Sequence, residues 1–483
     1  MGYIRYFAFL LLLLVLLLPN AFGSGFSFDG IGVKARGMGG AFRAVADDWS
    51  AAYYNPAGYS GIEDNQLAAN LAIFHNRYWA KPNILWGGQY QTGFFNGQDI
   101  ANKHEILNVP EFGMLARFPI KGEMVLGLSA IQLFDQNQSW NLYENLPAYS
   151  PATFSAPQYA INLDVVAFQL TAAKSYMNDK LLAGLGLSLN RGDMVFDNLV
   201  FRRNPMPSPI SDRPFEKIPE WYRANGNGWG FGYRAGVIYK MGEKVKAALT
   251  YWGNTPITLS GRTDFNFFMG LNHSLQINRN YLPTGEQYLF VNGEVVGLSS
   301  DFETKLNLPG TIGGGLAFKA TEKLTVALDA EMTLWSTFKG FDFTFSNFAG
   351  LKQPDFHNAN DSLFKTNLSV PIDWKNSAKV MFGANYDMSS IIQLRGGVSY
   401  DQSPTNSSTF IPQFIDLGNK IGVSFGAGLK LGIWNIDMAT SYTHQKDLNV
   451  SQRAIGDYGI LDNIPANYRA NNYQTVLGIT YRF

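Results

Sequence analysis

The sequence predicts an all-β protein: a 14-stranded antiparallel transmembrane β-barrel that is plugged by a small N-terminal helical hatch. Three observations support this fold class. Segments across the chain alternate apolar and polar residues with the period of a strand, and short and long connections alternate between these segments. After Leu18, no run of about twenty apolar residues exists that could cross a membrane as a helix.

The composition narrows the function classes. Charged residues make up 16% of the 483 residues, against roughly 25% in ordinary soluble proteins, whereas aromatic residues make up 14%. Lys and Arg together number 38, as do Asp and Glu, so no basic excess favours nucleic acid as a partner. The absence of cysteine excludes disulfides and cysteine-ligated metals. The histidines form no HExxH or paired-ligand spacing, and the sequence predicts neither an enzyme nor a bound metal or cofactor.

Residues 1–23 have the pattern of a cleaved secretory signal peptide. Arg5 precedes an unbroken apolar run at residues 7–18, Pro19 ends the run, and residues 21–23 read as a small-x-small cleavage site. Twelve apolar residues span only about 18 Å as a helix, against a hydrocarbon core of about 30 Å. The run therefore favours a signal peptide over a membrane anchor, and the mature chain starts near Ser24.

Residues 24–65 are rich in glycine and alanine and are predicted to form the hatch, as short helices broken by turns. A barrel of eight strands is just filled by its own side chains, so a wider barrel leaves room for a plug of small residues. The alternative is a periplasmic linker. The hatch motif residues are Gly37, Gly39, Gly40, Asn55, Pro56 and Ala57.

Residues 66–483 are predicted to form the barrel. In its last strand, Leu477, Ile479 and Tyr481 alternate with Gly478 and Thr480, which gives one apolar face. Residues 83–92 are assigned to a loop, which keeps the strand number even, as in bacterial barrels. The predicted strands are residues 66–78, 106–118, 124–134, 160–174, 181–191, 229–240, 245–254, 308–319, 324–338, 378–387, 391–401, 421–430, 434–444 and 473–483.

The connections alternate in length without exception, as expected for tight periplasmic turns and long external loops. The short connections are residues 119–123, 175–180, 241–244, 320–323, 388–390 and 431–433. The long connections are residues 79–105, 135–159, 192–228, 255–307, 339–377, 402–420 and 445–472. A soluble sandwich would not keep every long loop at one end.

Two of the long loops carry many large apolar residues. Such residues either pack against one another in an external core, with part of residues 255–268 extending a strand, or form a groove for an apolar ligand. Both interpretations remain open from the residues alone. The candidate ligand contacts are Phe196, Phe201, Trp221, Phe265, Phe267, Phe268, Met269 and Leu271.

Several motifs resemble the long-chain fatty acid outer-membrane transporter family (FadL type), including its aromatic-hydrocarbon channels. They are Gly-Met-Gly-Gly-Ala at residues 37–41, Tyr-Asn-Pro-Ala-Gly at 54–58, the strand at 229–239, Leu-Pro at 308–309, Tyr-Asp-Gln-Ser-Pro at 400–404 and Ser-Tyr-Thr-His at 441–444. The resemblance implies fourteen strands, a hatch, and a collecting groove formed by the two apolar loops. It also implies a lateral window at a kink in the third strand, where Gly127 is the only glycine.

The resemblance predicts passive uptake of hydrophobic molecules, such as long-chain fatty acids or hydrocarbons, across a Gram-negative outer membrane. Ligand binding would shift an N-terminal gate of Gly25, Phe26 and Phe28. Outer-membrane lipid and lipopolysaccharide surround the predicted monomer, and Phe483 resembles the terminal aromatic that barrel-assembly machinery recognises. A fatty-acid carboxylate would need a cation, for which the candidates are Arg202, Arg203, Arg234 and Arg395. The alternatives are a general diffusion porin and a surface-structural or adhesin barrel.

Overall fold

The computed structural model describes residue 25 and residues 30–86, 89–90, 95–103, 106–119, 124–143, 157–203, 217–268, 295–349, 367–451 and 464–483. Among these residues, no helix is long and apolar enough to cross a membrane. The helices are α1 Val33–Gly37, α2 Ala51–Tyr54, and the 3-10 helices η1 Pro56–Gly61 and η2 Trp335–Thr337. The strands are β1 Gln66–Pro82, β2 Leu85–Trp86, β3 Gln89–Tyr90, β4 Ile100–Ala101, β5 Ile106–Phe118, β6 Met124–Trp140, β7 Tyr159–Tyr176, β8 Leu181–Arg203, β9 Lys217–Met241, β10 Val245–Trp252, β11 Thr255–Phe268, β12 Val295–Leu308, β13 Thr311–Lys319, β14 Leu324–Thr333, β15 Gly340–Ala349, β16 Asn367–Pro371, β17 Ser377–Asp387, β18 Ile392–Asp401, β19 Lys420–Leu431, β20 Trp434–Gln445, β21 Leu448–Val450 and β22 Ala466–Arg482.

Fourteen of these strands close into an antiparallel barrel, which confirms the predicted fold class. They are β1, β5–β10, β13, β14, β17–β20 and β22, and β1 pairs with both β5 and β22. Closure gives every strand two neighbours, so backbone groups find partners within the sheet. The outward faces carry exposed apolar side chains such as Phe231, Leu249 and Leu477, whereas buried polar residues such as Gln169 and Asn385 face inward.

The barrel wall continues above the membrane as additional sheet, where long loops were predicted. The hairpin β11–β12 pairs with the upper part of β9 on one side and with β15 on the other, and β15 pairs with β16. The loops predicted at residues 192–228, 255–307 and 339–377 are therefore wrong where these strands run, whereas the alternative that part of residues 255–268 extends a strand is confirmed by β11. Within residues 83–92, the two described strands, β2 and β3, pair with each other and not with the barrel.

The third barrel strand, β6, separates from β5 in its upper half. Their pairing ends at Phe112 and Ala130, although β6 remains paired with β7 as far as Trp140. A register shift between Gln132 and Phe134 leaves one extra residue in β6, a β-bulge that bends the strand. The two sides approach again higher up, where the Lys103 amide donates to the Ser139 carbonyl at 2.8 Å. We refer to the unpaired stretch, residues 106–111 against 131–138, as the lateral gap.

Candidate functional site

The hatch fills the barrel lumen and sits on glycines of the wall. A Cβ atom added to any of these glycines would lie within 3.0 Å of the hatch, so only glycine permits this approach. Because the glycines lie on strands around the whole barrel, they form a cradle that fits the hatch. The pairs are Gly113 with Trp49, Gly127 with Tyr59, Gly184 with Pro56, Gly236 with Asn55, Gly313 with Arg43, Gly383 with Met38 and Gly397 with Gly39.

The glycine motif of the hatch forms a tight turn against the wall. Gly39 and Gly40 have positive φ angles of 65° and 87°, which side chains rarely adopt. A Cβ on Gly39 would lie 2.9 Å from the amide nitrogen of Val398. A Cβ on Gly37 would lie 3.3 Å from the Gly426 Cα. The motif thus packs directly onto the backbone of β18 and β19.

The Asn-Pro-Ala motif starts the 3-10 helix η1. The Asn55 side-chain oxygen accepts from the Ala57 amide at 3.1 Å, and Pro56 occupies the first position, where no amide hydrogen is needed. The Asn55 side-chain amide also donates to the carbonyls of Arg43 at 3.0 Å and Val237 at 3.2 Å. One side chain therefore caps the helix, joins two parts of the hatch and ties them to β9.

Two buried ion-pair clusters anchor the hatch to opposite strands. Arg36 Nη2 lies 2.7 Å from Glu111 Oε1, and Glu111 also accepts from the Gly32 amide. Arg43 lies against Asp329 and Glu331 on β14. Asp329 Oδ2 accepts from the Phe42 and Arg43 amides at 2.8 and 2.7 Å. Each charge has a partner, which buried charges require.

Two of the cations that the sequence put forward as partners of a carboxylate, Arg395 and Arg234, also have partners in the protein. Arg395 Nη1 lies 2.6 Å from Asp437 Oδ1. The Arg234 guanidinium stacks over the rings of Tyr53 and Trp252 at 5.0 and 4.4 Å and donates to the Gln169 oxygen at 3.1 Å. Arg234 therefore links the wall to Tyr53 of the hatch, whereas the ion pair of Arg395 lies within the wall. The side chains of Arg202 and Arg203 lie outside the described part of the structure.

We expect Gly184→Val to weaken the packing of η1 against β8. The first added carbon would lie 2.3 Å from the Pro56 carbonyl carbon and 2.4 Å from the Ala57 nitrogen, backbone atoms that cannot rotate away. Overpacking of this kind costs about 1–3 kcal/mol. Limited proteolysis of the hatch in membrane vesicles measures the effect. Ala183→Val, on the lipid face beside it, is the matched control, and equal protease resistance of the two variants would contradict the expectation.

Above the hatch, an aromatic cluster fills the barrel interior. Its rings are buried and contact one another at centroid distances of 4.9–6.3 Å, mostly edge-on or tilted, with Phe343 stacked on Phe345. Two predicted ligand contacts enter the same core: Phe196 packs against Phe341 and Phe343, and Phe265 packs against Phe345. The cluster comprises Phe134, Phe196, Phe265, Trp335, Phe338, Phe341, Phe343, Phe345, Trp374 and Phe414.

The remaining predicted contacts are placed elsewhere. Trp221 belongs to a second buried cluster with Trp140 and Tyr468, and its Nε1 donates to the Pro157 carbonyl at 3.1 Å. The side chains of Phe201, Phe267 and Phe268 lie outside the described part, although their backbones belong to β8 and β11. Met269, Leu271, Phe26 and Phe28 lie outside the described residues, so their roles stay predictions.

Gly25 packs against two tryptophans of the aromatic cluster, whose rings contact each other edge-on at a centroid distance of 4.9 Å. A Cβ on Gly25 would lie 2.4 Å from the Trp335 ring and 2.6 Å from the Trp374 ring. On its other side is a polar pocket of about 90 Å³. Leu107 of β5 and Gln136 of β6, from the two sides of the lateral gap, both line this pocket. Gly25 thus separates the aromatic cluster from a pocket at the inner side of the gap.

The outer wall carries two hollows. One of about 590 Å³ is lined by lipid-facing residues such as Leu185 and Leu249, a lining that suits acyl chains. The other, of about 620 Å³, lies eight residues beyond Leu189 along β8 and includes Asp197 and Arg223. Burial raises the pKa of Asp197 to about 6, although the charge of Arg223 opposes this shift. The polar lining of this second hollow suits the depth of the lipid headgroups.

Sequence reasoning missed the residue that marks the lateral gap. The family resemblance implied a kink in the third strand, where Gly127 is the only glycine. Gly127 instead makes room for Tyr59. Pro110 lies two residues beyond the last β5–β6 pair, and proline has no amide hydrogen for the ladder. Because proline in sheets is confined to edges and bulges, Pro110 was the signal that β5 becomes an edge. No comparable feature of the sequence predicted that Lys420 and Gln474 line the pocket.

Comparisons with known proteins agree with this architecture. The family described as Outer membrane protein transport protein (OMPP1/FadL/TodX) matches residues 17–483. Outer membrane protein P1 of Haemophilus influenzae is 21% identical over 510 residues, covering 98% of each chain. The Long-chain fatty acid transport protein of Escherichia coli is 22% identical over 231 residues, covering 47% of this chain and 45% of that protein.

Two solved structures share the fold. A FadL homologue of Pseudomonas aeruginosa superposes with a TM-score of 0.73 at 17% identity, covering 95% of this chain and all of the other. The toluene transporter TodX of Pseudomonas putida superposes with a TM-score of 0.66 at 15% identity, covering 94% and 98%. The chain therefore belongs to the OMPP1/FadL/TodX family and is a transport protein of the Gram-negative outer membrane, not an enzyme.

Proposed function

We propose that this protein takes up hydrophobic molecules passively across the outer membrane and releases them sideways through the lateral gap. The observation that carries the proposal is the position of the polar pocket, which is lined by Leu107 and Gln136 from the two sides of the gap. A molecule in this pocket lies beside a stretch of wall where β5 and β6 are unpaired. Escape into the membrane needs no broken backbone hydrogen bonds there.

The proposed route starts at the external end of the barrel. An apolar ligand leaves water because its surface is more favourably buried among aromatic rings. It then displaces Gly25 from its contact with Trp335 and Trp374 and reaches the pocket. Because the ligand moves down its gradient and finally into lipid, no energy source is required.

The lumen below the pocket favours a sideways exit. The hatch meets the wall there through Arg36 with Glu111 and Arg43 with Asp329, and the wall itself carries the pair of Arg395 with Asp437. An apolar ligand would have to separate buried ion pairs to pass toward the periplasm, which is costly. The same seated hatch disfavours a general diffusion porin, and the pocket at the gap disfavours a purely structural or adhesin role.

The remaining partners follow from the location. We propose a monomer surrounded by lipopolysaccharide and other outer-membrane lipid. We also propose that the barrel-assembly machinery recognises Phe483, whose side chain is 62% exposed and stacks on Tyr481 at 5.4 Å.

Uptake by cells tests the proposal. We expect cells with the protein to accumulate labelled oleate, dodecane, 1-dodecanol or toluene faster than cells without it. Trp335→Ala should lower uptake roughly tenfold, because it removes one of the two rings that flank the route. Trp434→Ala is the matched control, since it removes the same ring from a lipid-facing position where the side chain is 43% exposed.

Heat-modified mobility in gels shows whether each variant has a folded barrel, and Trp335→Phe should restore much of the uptake. Equal uptake of every compound with and without the protein would refute the proposed function.

A further inference from the structure

The polar pocket beside Gly25 has a lining unlike the aromatic cluster above it. Most of its polar side chains are uncharged hydrogen-bonding groups, joined by the apolar residues Phe74, Leu107 and Ile415. Two charged residues, Lys420 and Asp135, also line it. The uncharged residues with hydrogen-bonding groups are Asn76, Tyr78, Gln136, Ser441, Thr443, Gln445, Asn472, Tyr473 and Gln474.

The cation of the pocket is already neutralised. Lys420 Nζ lies 2.7 Å from Asp416 Oδ2 and 3.9 Å from Asp401 Oδ2, and it donates to the Gly25 carbonyl at 3.4 Å. Both carboxylates are buried, with side chains 0% and 3% exposed. A ligand carboxylate would therefore enter a buried site where acidic groups outnumber the ammonium. Burying another negative charge there is unfavourable.

Two buried amide atoms of the pocket lack hydrogen-bond partners among the described residues: the acceptor Asn472 Oδ1 and the donor Gln474 Nε2. Gln474 is 6% exposed, and its side-chain oxygen accepts from the Ser441 hydroxyl at 3.2 Å. Its Nε2 is buried and has no hydrogen-bond partner among the described residues. Buried polar groups without partners are rare and costly, so an acceptor oxygen placed in the pocket would be stabilised.

The size of the pocket fits a head group, not a chain. A volume of about 90 Å³ holds a group of a few heavy atoms, whereas the aromatic cluster on the other side of Gly25 suits an apolar body. We infer that the protein's ligand is a hydrophobic molecule with an uncharged oxygen-bearing head, such as an alcohol or ester, and that Gln474 donates a hydrogen bond to that head. This inference rests on the proposed function, because the pocket must be occupied during uptake.

A ligand series with one chain length tests the inference. The protein in lipid nanodiscs is titrated at pH 8 with dodecane, 1-dodecanol, methyl dodecanoate and dodecanoate. We expect the alcohol and the ester to bind about tenfold more tightly than the alkane and the carboxylate, as one buried hydrogen bond allows. Dodecanoate binding as tight as that of the alcohol would overturn the inference but leave the proposed function intact.

Three variants test which side chains produce the preference. Gln474→Leu should reduce 1-dodecanol affinity to that of dodecane, whereas Thr475→Leu, on the adjacent lipid-facing position, should keep the preference for the alcohol. Asp416→Asn should raise the affinity for dodecanoate several-fold, because it removes one of the two carboxylates that face Lys420. Equal binding of alcohol and alkane by the unaltered protein would mean that water alone occupies the pocket, which overturns the inference. Binding of none of the four would refute the proposed function itself.

Discussion

Replacement of Asp329 and Glu331 by alanine is expected to unseat the hatch and to turn a closed barrel into an ion-conducting one. Asp329 accepts two backbone amides of the hatch and, together with Glu331, holds the buried Arg43. The double variant leaves that guanidinium in the lumen without either carboxylate. Removing one side of a buried ion pair costs about 3–5 kcal/mol. This cost lowers the ratio of bound to released hatch roughly a hundredfold or more.

Planar-bilayer recording measures this effect directly. The unaltered protein should show little steady conductance, whereas the double variant should show frequent openings because the hatch no longer fills the lumen. Asp342→Ala is the matched control, since Asp342 accepts from Ser369 on the extracellular sheet, away from the hatch. A double variant as silent as the control would show that other contacts suffice to hold the hatch. Heat-modified gel mobility distinguishes hatch release from loss of the barrel.

The sequence predicted the membrane-embedded wall well because lipid and lumen impose opposite demands on alternate residues. β5 has the predicted bounds, residues 106–118, since apolar and polar residues alternate along it and a short connection was predicted at its end. The extracellular sheet was predicted only as an alternative, in which part of residues 255–268 extends a strand. Ile257, Leu259 and Phe265 alternate as inward residues of β11, but the rhythm of short and long connections assigned them to a loop.

The contacts between hatch and wall were beyond prediction from one sequence. The Gly-Met-Gly-Gly-Ala and Asn-Pro-Ala motifs identified the hatch, but not which wall residues receive it. Arg43 meets Asp329 across 286 residues, and Gly25 meets Trp335 across a still longer stretch of chain. The periodic patterns of helices and strands concern residues close in the sequence, so they do not predict pairs this far apart. Gly127 illustrates the difficulty, because a strand glycine marks a bend or a close approach equally well, and here it is the close approach to Tyr59.

Leu107→Trp is expected to block the lateral exit while leaving the barrel and the external end of the route unchanged. Leu107 lies on the β5 side of the gap and lines the polar pocket, so a larger ring would fill space needed by the ligand. Overpacking at such a point costs about 1–3 kcal/mol, which corresponds to an uptake rate about ten- to a hundredfold lower. Initial rates of labelled 1-dodecanol uptake by cells give the measurement.

Ile106→Trp is a closely matched control, because the adjacent residue is 57% exposed on the lipid face and adds the same ring outside the barrel. A ligand that leaves through the gap must pass Leu107, whereas one that passes the hatch toward the periplasm need not. Slow uptake by Leu107→Trp together with normal uptake by Ile106→Trp would therefore support the sideways route. Normal uptake by both variants, with uptake still dependent on Trp335, would place the exit elsewhere in the barrel and would contradict a role for the gap.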